Sequence, residues 1–257
     1  MRDVALILPA AGRSTRFHAG RHPEGSTQPT STDLPPRKVF LDLDGIPVWV
    51  RTLARFRNRP DLARVLVAVS PEDRAAFESH FASALATFQV EVVEGGAERF
   101  ETVARALGQL RNDPTIALVA VHDAARPGVP PDRIEAVFQA ARRHGAAALA
   151  VPVADTLRRI DTEGFAAGVI DRAGVVAMQT PQVFQRDWLI EAHDRYRQRL
   201  AASTTPDEIV VTDDVQLVEA LGKRCALVPG HPANLKITTP HDFELARALL
   251  RAEAATH

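Results

Sequence analysis

Cysteine is almost missing from this chain. Of 257 residues only Cys225 is one, so neither an intramolecular disulfide nor a cysteine-rich zinc centre can form. A lone thiol fits a reducing compartment and reads most simply as a small buried hydrophobe. Aromatic residues are also few, at 5%, and form no spaced stripe, which excludes a stacking platform for single-stranded nucleic acid. An excess of either charge is lacking as well. The 31 basic and 32 acidic residues leave a net charge of -1, so no overall field draws the protein to nucleic acid or an anionic membrane. Any phosphate must be met locally. No apolar run approaches the roughly 18 residues of a spanning helix, and Val4 to Ala11 is too short for a secretory signal and leads straight into arginines. The expected location is cytoplasmic, with no nucleic-acid or membrane partner.

What is present is a 46% hydrophobic chain long enough for a large core, read here as a single domain over 1–257. Short apolar runs at Val4 to Leu8, Val65 to Val69, Val90 to Val93, Ile116 to Val121 and Ala146 to Val153 predict strands. Helical patterns fall between them at Val48 to Phe56, Asp73 to Phe81, Glu98 to Leu110 and Pro131 to His144. Strands apolar on both faces that alternate with helices predict an α/β fold, a mostly parallel twisted sheet flanked by helices. Two segments break the alternation. The stretch 18–37 is rich in Gly, Pro, Ser, Thr and charge, and predicts a long polar flap loop. The stretch 153–173 reads as two short strands about a glycine turn, a β-arm that needs a surface to lie on, for which a partner subunit is one candidate. A segment at Val175 to Thr180, helices from about Arg186 to Leu200 and Thr212 to Leu221, a strand at Ala226 to Val228, a further short strand at Asn234 to Thr238 and a helix from Pro240 complete the expectation.

Chemistry concentrates where strands end. Pro9-Ala10-Ala11-Gly12-Arg13-Ser14-Thr15-Arg16 follows the first strand, and small residues there leave backbone N–H groups at the carboxyl edge of the sheet, where α/β proteins bind anions and nucleotides. His122-Asp123-Ala124-Ala125-Arg126-Pro127 follows another buried strand. Arg16, Lys38, Arg126 and Lys236 stand at backbone turns rather than on helix faces. Phosphoryl or nucleotidyl transfer needs such cations, because negative charge spreads over several oxygens in its transition state. A carboxylate among phosphates is repulsive unless it holds a divalent cation, which gives Asp123 a metal-binding reading beside the plainer one of an ion pair with Arg126. Gly95-Gly96 with Thr102 offers backbone amides near a helix start, and Thr212-Asp213-Asp214 reads as an N-cap with acidic first-turn residues. His122 reads as packed at a strand end.

Taken in order, Pro9-Ala10-Ala11-Gly12 with Arg16, Lys38, Gly95-Gly96 with Glu98-Arg99, His122 to Pro127, Asp155-Thr156, Asp171-Arg172, Thr180-Pro181-Gln182, Thr212-Asp213 and Asn234-Leu235-Lys236 resemble the 2-C-methyl-D-erythritol 4-phosphate cytidylyltransferase family of the non-mevalonate isoprenoid pathway. The resemblance implies a Rossmann-like nucleotidyltransferase fold and transfer of CMP from CTP to the sugar phosphate, with release of pyrophosphate. It implies that Arg16, Lys38 and Lys236 are catalytic, that Asp123 lies near a magnesium ion and the ribose, and that Ala10, Ala11, Gly12, Gly96 and Thr102 hold the nucleotide. It further implies that Arg126, Thr156, Arg172, Thr180, Thr212 and Asp213 meet the acceptor, and that the arm crosses to a second subunit of a homodimer. Ser14 departs from the family pattern, where glycine is frequent, and so does Ala97, where an acidic residue is common. A ribitol 5-phosphate cytidylyltransferase and a non-catalytic nucleotide-binding protein are the alternative expectations.

Overall fold

The computed structural model describes residues 2–12, 14–15, 17, 37–203 and 211–255. The expected flap at 18–37, apart from its last residue, and the catalytic candidate Arg16 lie outside them. Nine strands are described: β1 Val4–Pro9, β2 Leu62–Val69, β3 Val90–Glu94, β4 Leu118–Val121, β5 Ala146–Pro152, β6 Leu157–Ile160, β7 Ala166–Ile170, β8 Val176–Gln185 and β9 Ala226–Pro229. The helices are α1 Val48–Ala54, α2 Arg74–His80, α3 Ala82–Thr87, α4 Arg99–Gly108, α5 Pro131–His144, α6 Arg186–Ala202, α7 Asp214–Glu219 and α8 Pro240–Ala255.

Seven strands form one sheet in the order β3-β2-β1-β4-β8-β5-β9. Along β1, Val4, Leu6 and Leu8 enter one hydrophobic cluster while Ala5 and Ile7 enter another, as the two-residue period requires of a strand covered on both faces. The pairs β3·β2, β2·β1, β1·β4 and β5·β9 are parallel, so the sheet is mostly parallel as expected. β8 is antiparallel to both β4 and β5. Two reversals give β5 the same sense as β4. The ends of β1, β2, β3, β4, β5 and β9 therefore share one edge, and the loops that follow them meet there.

Local chemistry explains the elements that flank this edge. α4 starts with a capping box in which the Glu98 side chain accepts from the backbone at Glu101 and Glu101 accepts from the backbone at Glu98. α5 begins with Pro131, whose missing N–H costs nothing in a first turn, and ends at Gly145 with φ 83°, where a Cβ would also lie 2.4 Å from Trp188. Phe40, two residues after Lys38, packs on Phe77 at 5.3 Å and Phe81 at 5.9 Å between ring centroids. Burying such a ring is worth about 1.5–3 kcal/mol, enough to fix the backbone beside Lys38.

Three details differ from expectation. The helix expected over Asp73 to Phe81 is a 3₁₀ turn, Pro71–Asp73, followed by α2, and the chain then bends at Phe81 (φ -104°) into the unexpected α3. The bend lets Phe81 reach Trp49 and Phe77, at 5.3 and 5.0 Å. β8 runs ten residues through a stretch whose buried Gln179, Thr180 and Gln182 mask its strand character. Residues 234–238 are irregular rather than strand-like. The arm is a separate two-stranded sheet, with Leu157 opposite Ile170 and Ile160 opposite Ala166. Its turn is held by Asp161, whose Oδ1 accepts from the N–H groups of Glu163 and Phe165.

Candidate active site

A cavity of about 250 Å³ opens at the shared strand edge, lined by Pro9 to Gly12, Ser14, Lys38, Gly96, Arg99, Thr102, Asp123 and Lys236 among others. The loops after β1 and β3 touch, since a Cβ on Gly95 would lie 2.5 Å from Ala11. Glycine is required there by close approach. Thr102 is buried at the cavity floor and braces this loop: its Oγ1 accepts from the Gly96 N–H at 3.0 Å and donates to the Glu98 carbonyl at 3.0 Å. The Ala97 N–H donates to Glu101 Oε2 at 2.8 Å. Ser14 has φ 57°, the left-handed region that explains glycine at this position, and its hydroxyl accepts the Lys38 N–H at 3.2 Å. The serine thus costs some backbone strain and ties the first turn to the Lys38 strap.

The turn after β4 is cemented. Each carbonyl from Asp123 to Pro127 accepts a hydrogen bond: from the Arg126 N–H (3.0 Å), Thr52 Oγ1 (2.9 Å), the Ile237 N–H (2.9 Å), His122 Nε2 (3.1 Å) and Arg55 Nε (2.8 Å). With the His122 proton on Nε2, its Nδ1 accepts from Thr180 Oγ1 at 3.0 Å, and that hydroxyl accepts the Asp123 N–H at 3.0 Å. Burial pushes the His122 imidazole down to about 4, so it is neutral near pH 7. Gly128 allows the 231–236 segment to close on the turn, for a Cβ there would fall 2.2 Å from the Ala233 carbonyl oxygen.

Three cations converge on the Asp123 carboxylate. Arg126 Nε and Lys236 Nζ each stand 3.1 Å from Oδ2, and Arg99 Nε is 3.4 Å from Oδ1. Burial alone would raise this carboxyl, but Lys236, Arg99 and Arg126 hold it far below the usual carboxylate range. Arg126 also donates Nη1 to the Asn234 carbonyl at 2.8 Å, which joins the turn to the Lys236 segment. The local Asp123–Arg126 pair expected as a plain alternative is therefore present within a larger cluster.

The structure brings Ala10, Ala11, Gly12, Lys38, Gly96, Thr102, Asp123 and Lys236 to one cavity. Arg126 and Thr180 stand behind Asp123, with their polar atoms engaged by the turn. Thr212 and Asp213 precede α7, where Asp213 caps the helix by accepting the Gln216 N–H and also accepts from Gln182 Nε2 at 3.0 Å. Thr156 and Arg172 sit on the arm, exposed, and Arg172 donates to the Ala154 carbonyl. Neither lines the cavity. The sequence reading passed over Arg99, whose signal was available: a cation at the first position of α4 opposes the helix dipole and needs a partner elsewhere.

A model of the family described as 2-C-methyl-D-erythritol 4-phosphate cytidylyltransferase matches residues 4–252. The chain is 40% identical over 252 residues to the enzyme of that name from Symbiobacterium thermophilum, covering 98% of this chain and 94% of that one. It is similar at 40% identity to the one from Salinibacter ruber, covering 96% and 92%. The crystal structure of the Thermus thermophilus enzyme superposes with a TM-score of 0.70 at 34% identity, covering 98% of this chain and all of that one. With the cations, the carboxylate and the small-residue loop at one edge of a Rossmann-like sheet, these likenesses show that the chain belongs to the 2-C-methyl-D-erythritol 4-phosphate cytidylyltransferase family.

Proposed function

We propose that this chain carries out the CMP transfer of its family with the cavity at the strand edge as the CTP site. Backbone groups of Ala10, Ala11, Gly12 and Gly96 hold the nucleotide, while Lys38 and Lys236, with Arg16, neutralise the triphosphate. A phosphate oxygen of 2-C-methyl-D-erythritol 4-phosphate attacks the α-phosphorus and forms a new P–O bond. The bond from that phosphorus to the β-phosphate oxygen breaks, and pyrophosphate leaves with the electron pair. The product is 4-diphosphocytidyl-2-C-methyl-D-erythritol. The observation that carries the reading is the gathering of Lys236, Arg99 and Arg126 on one buried carboxylate beside the small-residue loops. Binding alone does not need so many cations at one wall, whereas charge stabilisation in a pentacoordinate transition state does.

Magnesium fits the donor set. No group of three or more His, Cys, Asp or Glu converges among the described residues, which suits an ion that takes one carboxylate and completes its shell with substrate phosphates and water. Asp123 Oδ1, whose partner is the more distant 3.4 Å contact, is the oxygen left for it. The ion supplies charge neutralisation at the triphosphate.

The arm carries Ile160, Phe165 and Val169 at 76%, 67% and 63% exposure, an apolar surface with no core of its own. We assign it to a homodimer contact that delivers Thr156 and Arg172 to the acceptor side of the partner's site, opposite Thr212 and Asp213. Arg126 and Thr180 serve the acceptor by holding the turn. No helix among the described residues is long and apolar enough to cross a membrane.

The test is pyrophosphate release from CTP and magnesium with methylerythritol 4-phosphate or ribitol 5-phosphate as acceptor. Strong preference for the first is expected. Preference for the second reassigns the acceptor, and CTP binding without release with either overturns the catalytic reading.

A further inference from the structure

Behind the cavity wall Arg99 is tied to a buried pair, Asp214 and His193, that the transfer chemistry does not itself require. Arg99, at the start of α4, donates Nη1 to Asp214 Oδ2 at 2.8 Å and faces Asp123 Oδ1 through Nε at 3.4 Å. The other oxygen of Asp214 accepts from His193 Nε2 at 3.0 Å. Asp214 is 1% exposed and does not line the cavity. His193 on α6 is as deeply buried, stacked 6.0 Å from Phe100 with 16° between the ring planes, and its Nδ1 has no hydrogen-bond partner among the described residues. That leaves the proton on Nε2, where it serves Asp214.

A buried carboxylate is a costly way to fill space, since packed apolar residues stabilise as well or better. Geometry gives it another use. One guanidinium lies between two carboxylates and sits closer to the one that never meets solvent. Without Asp214, the only strong electrostatic partner for Arg99 among the described residues would be Asp123, and the guanidinium would close on Oδ1. We propose that Asp214, oriented by His193, is a positioning residue that holds Arg99 back from Asp123 and so keeps Oδ1 available to the cation–nucleotide complex. The role rests on the assignment of magnesium–CTP to Asp123. Asp214 also follows Thr212 and Asp213 directly, and its N–H donates to Gln182 Oε1 at 3.2 Å, so the bridge joins the nucleotide wall to the acceptor-side segment.

The test is calorimetric CTP binding, with magnesium and with EDTA, to the full-length wild type, D214N and the double variant R99Q/D214N. Far-UV circular dichroism and a cooperative melt establish that each is folded. Asparagine keeps the shape and can still accept from His193, but it no longer competes for Arg99. D214N is expected to weaken magnesium-dependent CTP binding about tenfold and to change binding in EDTA far less. Removing the guanidinium as well frees Asp123, so R99Q/D214N recovers most of that loss. A purely structural Asp214 predicts the opposite order, with the double variant no better than D214N, and that result overturns the proposal. Unchanged magnesium-dependent binding in D214N also overturns it. Should D214N fail to fold, H193F supplies a second reading: Asp214 loses the donor that orients it, so magnesium-dependent CTP binding is expected to fall about threefold with binding in EDTA changed far less, and wild-type magnesium-dependent binding there overturns the proposal. If the wild type binds CTP equally with magnesium and with EDTA, the assignment of the metal to Asp123 fails together with this inference, a pattern distinct from a wild type that responds to magnesium and a D214N that does too.

Discussion

The turn at 123–127 and the arm at 157–170 leave the same edge of the sheet, yet they are stabilised in opposite ways. Every carbonyl of the turn is bonded, by the turn's own Arg126 N–H, by His122, by Thr52 on α1, by Arg55 and by Ile237 in the segment before α8. The arm is a lone hairpin with exposed Ile160, Phe165 and Val169. A transition state of fixed geometry is served by groups that cannot relax, because preorganised charges cost no reorganisation when the reaction occurs. A hairpin of this size is marginal alone, so its order depends on what it contacts. On the proposed reading, the nucleotide half of the site is finished within one chain and the acceptor half by a second.

The sharpest way to break this contrast is at Lys236. K236A or K38A should lower kcat by about 10²–10³-fold with little change in CTP affinity, measured by pyrophosphate release and calorimetry. A loss confined to KM would place these lysines in binding only. On the arm, R172A is expected to raise the acceptor KM roughly tenfold and leave CTP binding intact. Mixing folded K236A and R172A proteins and letting subunits exchange should then restore activity, at acceptor well below its KM, towards about a quarter of wild type, because about half of the dimers pair the two variants and each of these carries one site with neither change. Failure of mixing to restore any activity would argue that each chain uses its own arm.

Acid should separate the regions too. Asp214 is held down to about 2: burial opposes this, and Arg99 and His193 more than offset it. A carboxyl depressed in the folded state gives stability that is complete above its unfolded value of 3.8 and is lost as pH falls through 2. The expected contribution is roughly 2 kcal/mol, read as a fall in the melting temperature of wild type between pH 4 and pH 2 that D214N does not share. The smallest effect concerns Thr52, whose hydroxyl reaches the Ala124 carbonyl at 2.9 Å. T52V should cost about 1–2 kcal/mol in chemical denaturation by leaving that carbonyl unmet. A neutral result would show the turn to be held redundantly.

Much of the core and part of the site were legible from sequence because their signals are local. Val4 to Leu8 and Leu118 to Val121 are continuous apolar runs, and they are the buried strands β1 and β4. Lys38 and Lys236 stood out because they stand at backbone turns rather than on helix faces, and Asp123 because it follows a buried strand. What sequence did not reveal was decided at long range. β8 runs on to Gln185, past the expected segment Val175 to Thr180, and its polar Gln179, Thr180 and Gln182 are buried because Asn234, His122 and Asp213 complete their hydrogen bonds. Arg99 and Asp214 lie 115 positions apart, a separation that leaves no pattern in the chain. α3, beyond the expected helix end at Phe81, has no buried residue and so no apolar stripe to signal it, and the packing of Phe81 on Trp49 and Phe77 shows why the axis turns there.

The base of the arm has a consequence for how this architecture can vary. β5 and β8 pair up to Pro152 opposite Val176, so the two ends of the excursion are already at ladder distance. Chain inserted or removed beyond that point leaves the sheet register alone and alters loop closure only logarithmically with length. A chain in which a tight turn replaces 153–175 should therefore fold as a stable monomer with its nucleotide pocket intact and its hold on the acceptor lost, so the length and apolar face of the arm can change without disturbing the nucleotide pocket beside it.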